Sequence, residues 1–259
     1  MINSVAIVGA GNVGQHLARA LAIAGIEVRF VVSRTPKSAR ELAAETGAKV
    51  VNGISGMHPL PDIVILSVSD DILPVIASEY KNEGTVICHT SGSTGLEVFE
   101  DKYDNFGVFY PLQTFSKSRE LDYSSIPFFI EAGNQEVEEK LISLADRISG
   151  KWERADSEAR KVIHLAAVFA CNFSNHLAVI AKELLEQNEM NMELLIPLLK
   201  ETYLKIEEMD PLHAQTGPAV RGDQRIMNEH LELLSEKPKE QILYKLLSEN
   251  IIRYRKRNE

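Results

Sequence analysis

Residues Ser4–Gly14 read SVAIVGAGNVG, and this stretch decides the fold. Ser4–Val8 is short, apolar and rich in β-branched side chains, the pattern of a buried strand. Gly9, Gly11 and Gly14 follow with the spacing G-x-G-x-x-G. Asn12–Ala24 then predicts a helix, with Val13, Leu17, Leu21 and Ala24 along one face. A strand, this glycine spacing and a helix within about 30 residues are the context of a turn that receives a dinucleotide pyrophosphate. Gly9 permits the tight turn, Gly11 lets backbone approach the phosphates, and Gly14 lets the helix pack closely on the sheet. The helix N-terminus adds free N–H groups and partial positive charge. Gly9, Gly11, Asn12, Val13 and Gly14 are therefore the expected pyrophosphate contacts.

Outward from this unit, Gly25 ends the helix and Glu27–Val32 is a second β-branched run. Pro36 suits the first turn of a helix through Glu45, and Lys49–Val51 follows as a short strand. Asp62–Ser67, Thr85–His89, Phe106–Tyr110 and Ile126–Glu131 predict further strands. Helices are predicted at Asp70–Tyr80 and Gln135–Ser149, and a short last strand at Lys151–Arg154. Strands separated by helices mean crossovers and a mostly parallel sheet. After Asp156 the character changes. Ser157–Glu186, Met192–Glu208, Gln224–Leu234 and a stretch from about Lys239 to Arg253 all read as helix, with no strand signal. Glycine follows the same division: of 15 in the chain, only Gly217 and Gly222 lie beyond residue 150. The expected architecture is an α/β Rossmann-like domain with a mostly parallel sheet over residues 1–155, followed by an all-α C-terminal domain over residues 156–259.

Composition narrows the function classes. With 44% hydrophobic and 25% charged residues, the chain of 259 residues is neither disordered nor fibrous. A formal charge of −9 argues against a nucleic-acid surface, and the basic stretch Arg253–Arg257 reads as a solvated helix end. Two cysteines, Cys88 and Cys171, build no disulfide framework. Val5–Ala18 is uncharged but has no basic residue before it, unlike a secretory leader. No run approaches the roughly 18 apolar residues of a membrane span. A cytoplasmic protein with no membrane and no nucleic-acid partner is expected.

The end of the second strand selects among dinucleotides. An acidic residue there accepts hydrogen bonds from the adenosine ribose and favours NAD. This chain has Ser33-Arg34-Thr35 instead. Arg34 can pair bidentately with a 2′-phosphate, Ser33 and Thr35 bring hydroxyls, and Lys37 and Arg40 add positive charge. NADP is the expected cofactor.

In an open parallel sheet the ligand crosses the carboxyl ends of the strands. Ser67 and Val68, after the fourth strand, are expected under the nicotinamide ribose. His89-Thr90-Ser91-Gly92-Ser93 follows the fifth strand, with Ser93 a candidate helix N-cap. Tyr110-Pro111-Leu112-Gln113-Thr114-Phe115 follows the next. His89 suits acid–base work near the nicotinamide or a half-buried structural place, and Tyr110 and Gln113 carry the same two readings. On the long helix, His164, Val168, Asn172 and Asn175/His176 recur at helical spacing. Such polar residues in an apolar run fit a cleft or an interhelical network. His164 and His176 are too far apart along the helix to share an ion, so no metal site is expected. The tyrosine–lysine pair of short-chain dehydrogenases, a nucleophile elbow and a P-loop are all missing. Arg221-Gly222-Asp223 reads as a turn, with Asp223 capping the next helix.

The ordered segments GAGNVG, SVSDD, HTSGS, YPLQTF, HLAAVFACN and TGPAVRGD resemble, over nearly the whole chain, a bacterial family of NADP oxidoreductases with a helical C-terminal domain of unassigned function. The wider architecture is similar to the 6-phosphogluconate dehydrogenase-like superfamily, which includes 3-hydroxyisobutyrate dehydrogenase, prephenate dehydrogenase and pyrroline-5-carboxylate reductase. That resemblance implies hydride transfer between NADP and a small carbonyl or imine substrate in an interdomain cleft, and a homodimer through the helical domain. The hydroxyacid enzymes of that superfamily carry Lys-x-x-x-Asn on the first long helix of the second domain. Asn172 matches the asparagine, but Val168 occupies the lysine position. His89, His164 and Asn172 are the expected residues for proton transfer or substrate orientation. The missing lysine keeps a second reading open, a non-catalytic NADP-binding sensor or interaction protein.

Overall fold

The computed structural model describes residues 2–79 and 84–257. The chain divides into two compact units, residues 1–172 and 173–259. The first is built on one eight-stranded sheet: β1 (Ser4–Val8), β2 (Glu27–Val32), β3 (Lys49–Val50), β4 (Ile63–Leu66), β5 (Val86–His89), β6 (Phe106–Pro111), β7 (Phe128–Ala132) and β8 (Trp152–Arg154). The spatial order is β3-β2-β1-β4-β5-β6-β7-β8. All neighbours pair in parallel except β6 and β7, so the last two strands run against the others. The mostly parallel sheet and the Rossmann-like order match the expectation. The order reverses between β1 and β4, the point where such sheets bind dinucleotides.

Strand burial follows side-chain alternation. Val5 and Ile7 face a core with Ile63 and Ile65, and α1 (Asn12–Ile23), α2 (Pro36–Thr46) and α4 (Gln135–Ile148) cover it. Ala6 and Val8 face the other core with Val64, Leu66 and Phe99, to which α3 (Leu73–Glu79) contributes Leu73 and Ala77. Two covered faces explain why the strands read as continuous apolar runs rather than alternating ones. Tyr80, the end of the predicted third helix, lies outside the described residues.

The long helical pattern at Ser157–Glu186 is continuous but not uniform. It comprises α5 (Ser157–Ala167), a π-helical segment at Val168–Phe173 and α6 (Ser174–Glu186). The change of sequence character falls near residue 155, whereas the compact units divide within the π segment. α5 stays with the sheet because Arg160 is buried against Glu131 of β7. No unbroken apolar run of that length occurs, but by length and composition one helix among the described residues, Ser157–Glu186, is apolar enough to cross a membrane, with a mean hydropathy of 1.4 over an 18-residue stretch. Scattered polar residues interrupt its apolar run.

The second unit continues with α7 (Ile196–Glu208), the short α8 (Pro211–Ala214) and α9 (Pro218–Arg221), α10 (Gln224–Leu233) and α11 (Pro238–Arg257). Gly222 ends α9 in the left-handed region, and Asp223 caps α10 by accepting the Ile226 N–H. His230 and Tyr244 tie α10 to α11 through a 2.8 Å hydrogen bond.

Candidate functional site

The glycine turn has the geometry its spacing predicts. Gly9 lies at φ +107°, and a Cβ there would fall 2.3 Å from the Ser67 carbonyl oxygen and 3.1 Å from Val68 Cγ1. The β1 turn is thus pressed directly on the end of β4. A Cβ on Gly14 would sit 1.9 Å from the Gly9 carbonyl oxygen, so α1 approaches the turn as only glycine allows. Gly11 differs: a Cβ there meets nothing within 4 Å. No protein contact requires glycine at this position, and the open space lies at the N-terminus of α1, whose first turn has no side-chain cap. An anionic pyrophosphate fits this place, where it would meet the unbonded N–H groups and the positive end of the helix. Ser67 Oγ, on the strand end that Gly9 touches, is buried without a hydrogen-bond partner. Asn12 donates to the Phe115 carbonyl at 3.0 Å, which spends its side chain on holding a neighbouring loop.

At the end of β2, the Ser33 hydroxyl accepts the Thr35 N–H at 3.2 Å, making a tight turn into α2. Gly9 N donates to the Val32 carbonyl at 2.8 Å, which joins this turn to the glycine turn. Arg34 is exposed and has no ion pair among the described residues, and the same is true of Arg40. Lys37 reaches only Glu41, at 3.8 Å. Arg34 is therefore available to a 2′-phosphate beside the Ser33 and Thr35 hydroxyls.

The ends of β5 and β6 meet α5. His164 Nδ1 and Tyr110 Oη are 3.0 Å apart. Burial raises the Tyr110 pKa, so its phenol is held neutral, with Arg160 pulling weakly the other way. A Cβ on Gly92 would lie 2.8 Å from the His164 ring, so the loop after β5 backs that ring directly. Ser91 Oγ accepts the N–H groups of Ser93 and Thr94, at 3.1 and 2.9 Å, and Ser93 donates its hydroxyl to Asp70. Ser93 is thus no N-cap: only a short turn at Leu96–Val98 follows, with Gly95 at its start.

Of the two places expected for His89, the structure shows a buried one bonded to backbone. Its ring is fully buried and lies 5.5 Å from the Phe99 ring, which belongs to the core that α3 covers. Nδ1 accepts the Ser91 N–H at 3.1 Å, which leaves the proton on Nε2. Burial pushes its pKa down to about 4, with Arg160 adding to the effect against weaker pulls from the Gly95 backbone and Asp70. The structure brings His164 to Tyr110 and leaves Asn172 exposed in the π segment, with no side-chain hydrogen bond among the described residues. In an α-helix a step of four residues overshoots one turn by about 40°. The π segment takes more residues per turn, so the step from Val168 to Asn172 swings back toward the line of His164. Asn175 and His176 are exposed rather than buried in a polar network.

Two groups escaped sequence reasoning. Arg160 is buried at 1% exposure and pairs with Glu131. From sequence alone it is a charged residue in the first turns of a helix, with nothing to mark it as buried. Its signal lay only in Glu131, a carboxylate at the end of an apolar strand. The second is His16 on α1, whose ring nitrogens meet the Ser116 carbonyl at 2.9 Å and Tyr123 Oη at 3.1 Å. With Asn12 it straps the segment after β6 across the start of α1. Among the described residues no metal-ligating cluster is present.

Residues 4–91 match the family model described as "NADP oxidoreductase coenzyme F420-dependent", and residues 126–251 match a domain of unknown function, DUF2520. A solved structure from Bacteroides fragilis, described as a "putative NADP oxidoreductase", is 41% identical, with 97% of this chain and 98% of that chain covered and a TM-score of 0.91. This chain belongs to that oxidoreductase family. An imine reductase from Streptomyces aurantiacus shares the oxidoreductase's fold at 17% identity, with 97% and 94% of the two chains covered and a TM-score of 0.70. A reductive aminase from Aspergillus terreus, solved with NADPH and ethyl-5-oxohexanoate, does so at 15% identity, with 98% and 95% covered and a TM-score of 0.74. No curated protein matches the chain. The oxidoreductase uses NADP, and its glycine turn and Arg34 are the parts of the chain that fit it.

Proposed function

We propose that the oxidoreductase passes a hydride between NADP and a small carbonyl or imine compound, with His164 and Tyr110 handling the proton. The hydrogen bond between Tyr110 Oη and His164 Nδ1, at the carboxyl edge of the sheet on the far side of β4 from Arg34, carries this reading. Gly9, Gly11, Val13 and Gly14 would hold the pyrophosphate, Ser33, Arg34 and Thr35 the 2′-phosphate, and Ser67 and Val68 the nicotinamide ribose. NADP, when bound, supplies or accepts the hydride.

The residues of the chain do the rest. The neutral Tyr110 hydroxyl donates to His164 Nδ1, which fixes the imidazole with its proton on Nε2. Nε2 has no hydrogen-bond partner among the described residues; as it gives its proton to the nitrogen or oxygen that hydride reduces, Nδ1 takes the Tyr110 hydroxyl proton, and the phenolate regains one from water. Asn172, one π turn further on, would orient the substrate. His89, buried and anchored to Ser91, shapes the loop behind His164 rather than touching the substrate. This division of labour needs no lysine at position 168.

We propose a homodimer as well: Val162, Leu165 and Phe169 stand 68%, 57% and 63% exposed on α5 and the π segment, and a second copy would cover this apolar stripe. Buried Cys88 and exposed Cys171 are both free thiols, consistent with a reducing, cytoplasmic setting.

NADPH consumption with 2-methyl-1-pyrroline and a panel of small keto acids tests the reaction. Tyr110→Phe and His164→Gln are expected to lower kcat by about 100-fold or more while NADPH still binds. Unchanged kcat in both variants would remove the proton role.

A further inference from the structure

The side chain of Arg160 is at the centre of a closed network that joins three elements. Its guanidinium pairs through Nη1 with Glu131 at the end of β7, and through Nη2 it donates to the Thr94 carbonyl at 2.6 Å. Glu131 in turn accepts the backbone N–H of Ser157, at 3.0 Å, and its hydroxyl, at 2.8 Å. The same hydroxyl accepts the Leu96 N–H at 3.3 Å. Thr94 and Leu96 flank Gly95 at the far end of the loop that begins at His89, and Ser157 and Arg160 open α5. So the helix that carries His164 and the loop that backs it with Gly92 are fastened to each other and to β7.

Three buried side-chain polar atoms among the described residues lack partners: Ser67 Oγ, His89 Nε2 and Arg160 Nε. They belong to the ends of β4 and β5 and to this network. Orphaned polar atoms are rare in native folds, and each calls for an explanation. Burying an ion pair seldom stabilises a protein as well as apolar packing would. Holding a loop in one place is the better account of its presence here.

We propose that Arg160 is a positioning residue for the nicotinamide side of the site: it fixes the His89–Gly95 loop and, through Gly92, the ring of His164. The sheet order puts β5 on the opposite side of the switch point from β2, so this loop faces the nicotinamide half and not the adenosine half. The proposal rests on the reading of His164 as the proton-handling group.

Two measurements test it. In hydrogen exchange without cofactor, Arg160→Met is expected to speed exchange of the Ser93 and Thr94 amides about tenfold or more while Leu141 and Leu144 of α4 keep their protection. In binding, the same variant should weaken NADPH about tenfold yet change adenosine 2′,5′-bisphosphate, which lacks the nicotinamide, less than about twofold. Arg160→Lys, which keeps the charge but loses the fork, should recover part of the NADPH affinity. Ser157→Ala keeps the ion pair and serves if Arg160→Met does not fold; it should show the same local pattern at smaller size. Unchanged exchange at Ser93 and Thr94, or an equal loss of both ligands, overturns the role. Wild-type protein that binds no NADPH would instead sink the cofactor reading, and the exchange result would still decide the place of Arg160.

Discussion

Acidification should weaken this protein through one buried ring. His89 is fully enclosed, and burial together with the charge of Arg160 brings its pKa to about 4 from an ordinary 6.5. In the unfolded chain the ring takes a proton below pH 6.5, whereas in the folded chain it stays neutral down to about 4. Between those limits the unfolded state binds more protons, so stability rises with pH. The contribution is complete above pH 6.5 and is lost as pH falls toward 4. A gap of that size, at about 1.4 kcal/mol per pH unit, amounts to about 3 kcal/mol. Urea unfolding of the wild type and of His89→Gln, followed by circular dichroism from pH 7.5 to 4.5, isolates it. Glu45 and Asp62, whose pKa values are lowered by Arg19 and by backbone N–H groups respectively, are common to both proteins and cancel in the difference. The wild type should lose most of that 3 kcal/mol relative to the variant across the window. Parallel stability curves for the two proteins would show that the ring is not buried neutral, and the assignment of His89 as a loop anchor would fail.

The glycines of the turn should separate by role. Gly14→Ala forces a Cβ to within 1.9 Å of the Gly9 carbonyl oxygen and should cost on the order of 3 kcal/mol in chemical denaturation. Gly11→Ala meets no protein atom, so it should keep the melting temperature while NADPH affinity falls; retained affinity would mean that no phosphate lies there. Gly92→Ala drives a methyl group against the His164 ring, 2.8 Å away, and should lower turnover with 2-methyl-1-pyrroline far more than NADPH affinity.

Much of the sheet unit was legible because its signals are local. Ser4–Val8, Glu27–Val32 and the glycine spacing each announce themselves within a few residues, and the βαβ rhythm then dictates a parallel sheet. What stayed hidden depends on contacts distant in sequence or on backbone phase. Nothing in Phe128–Ala132 tells that this strand runs antiparallel to its neighbour. Arg160 reads as solvated until Glu131 is seen beside it. His89 and His164 are alike in the sequence as strand-end and helix-face histidines, yet one is walled in beside Phe99 and the other is half-buried with Gly92 packed against its ring. The π segment at Val168–Phe173 has no residue signature, and it is what returns Asn172 toward the line of His164.

If Arg34 at the end of β2 selects NADP at this sheet edge, the cofactor preference should depend on that side chain. Calorimetric titration of NADPH and NADH into the wild type and Arg34→Ala tests it most directly. The wild type should bind NADPH about tenfold or more tighter than NADH, and Arg34→Ala should erase that preference while leaving NADH affinity nearly unchanged. Equal affinities in the wild type, or a preference that survives Arg34→Ala, would contradict it.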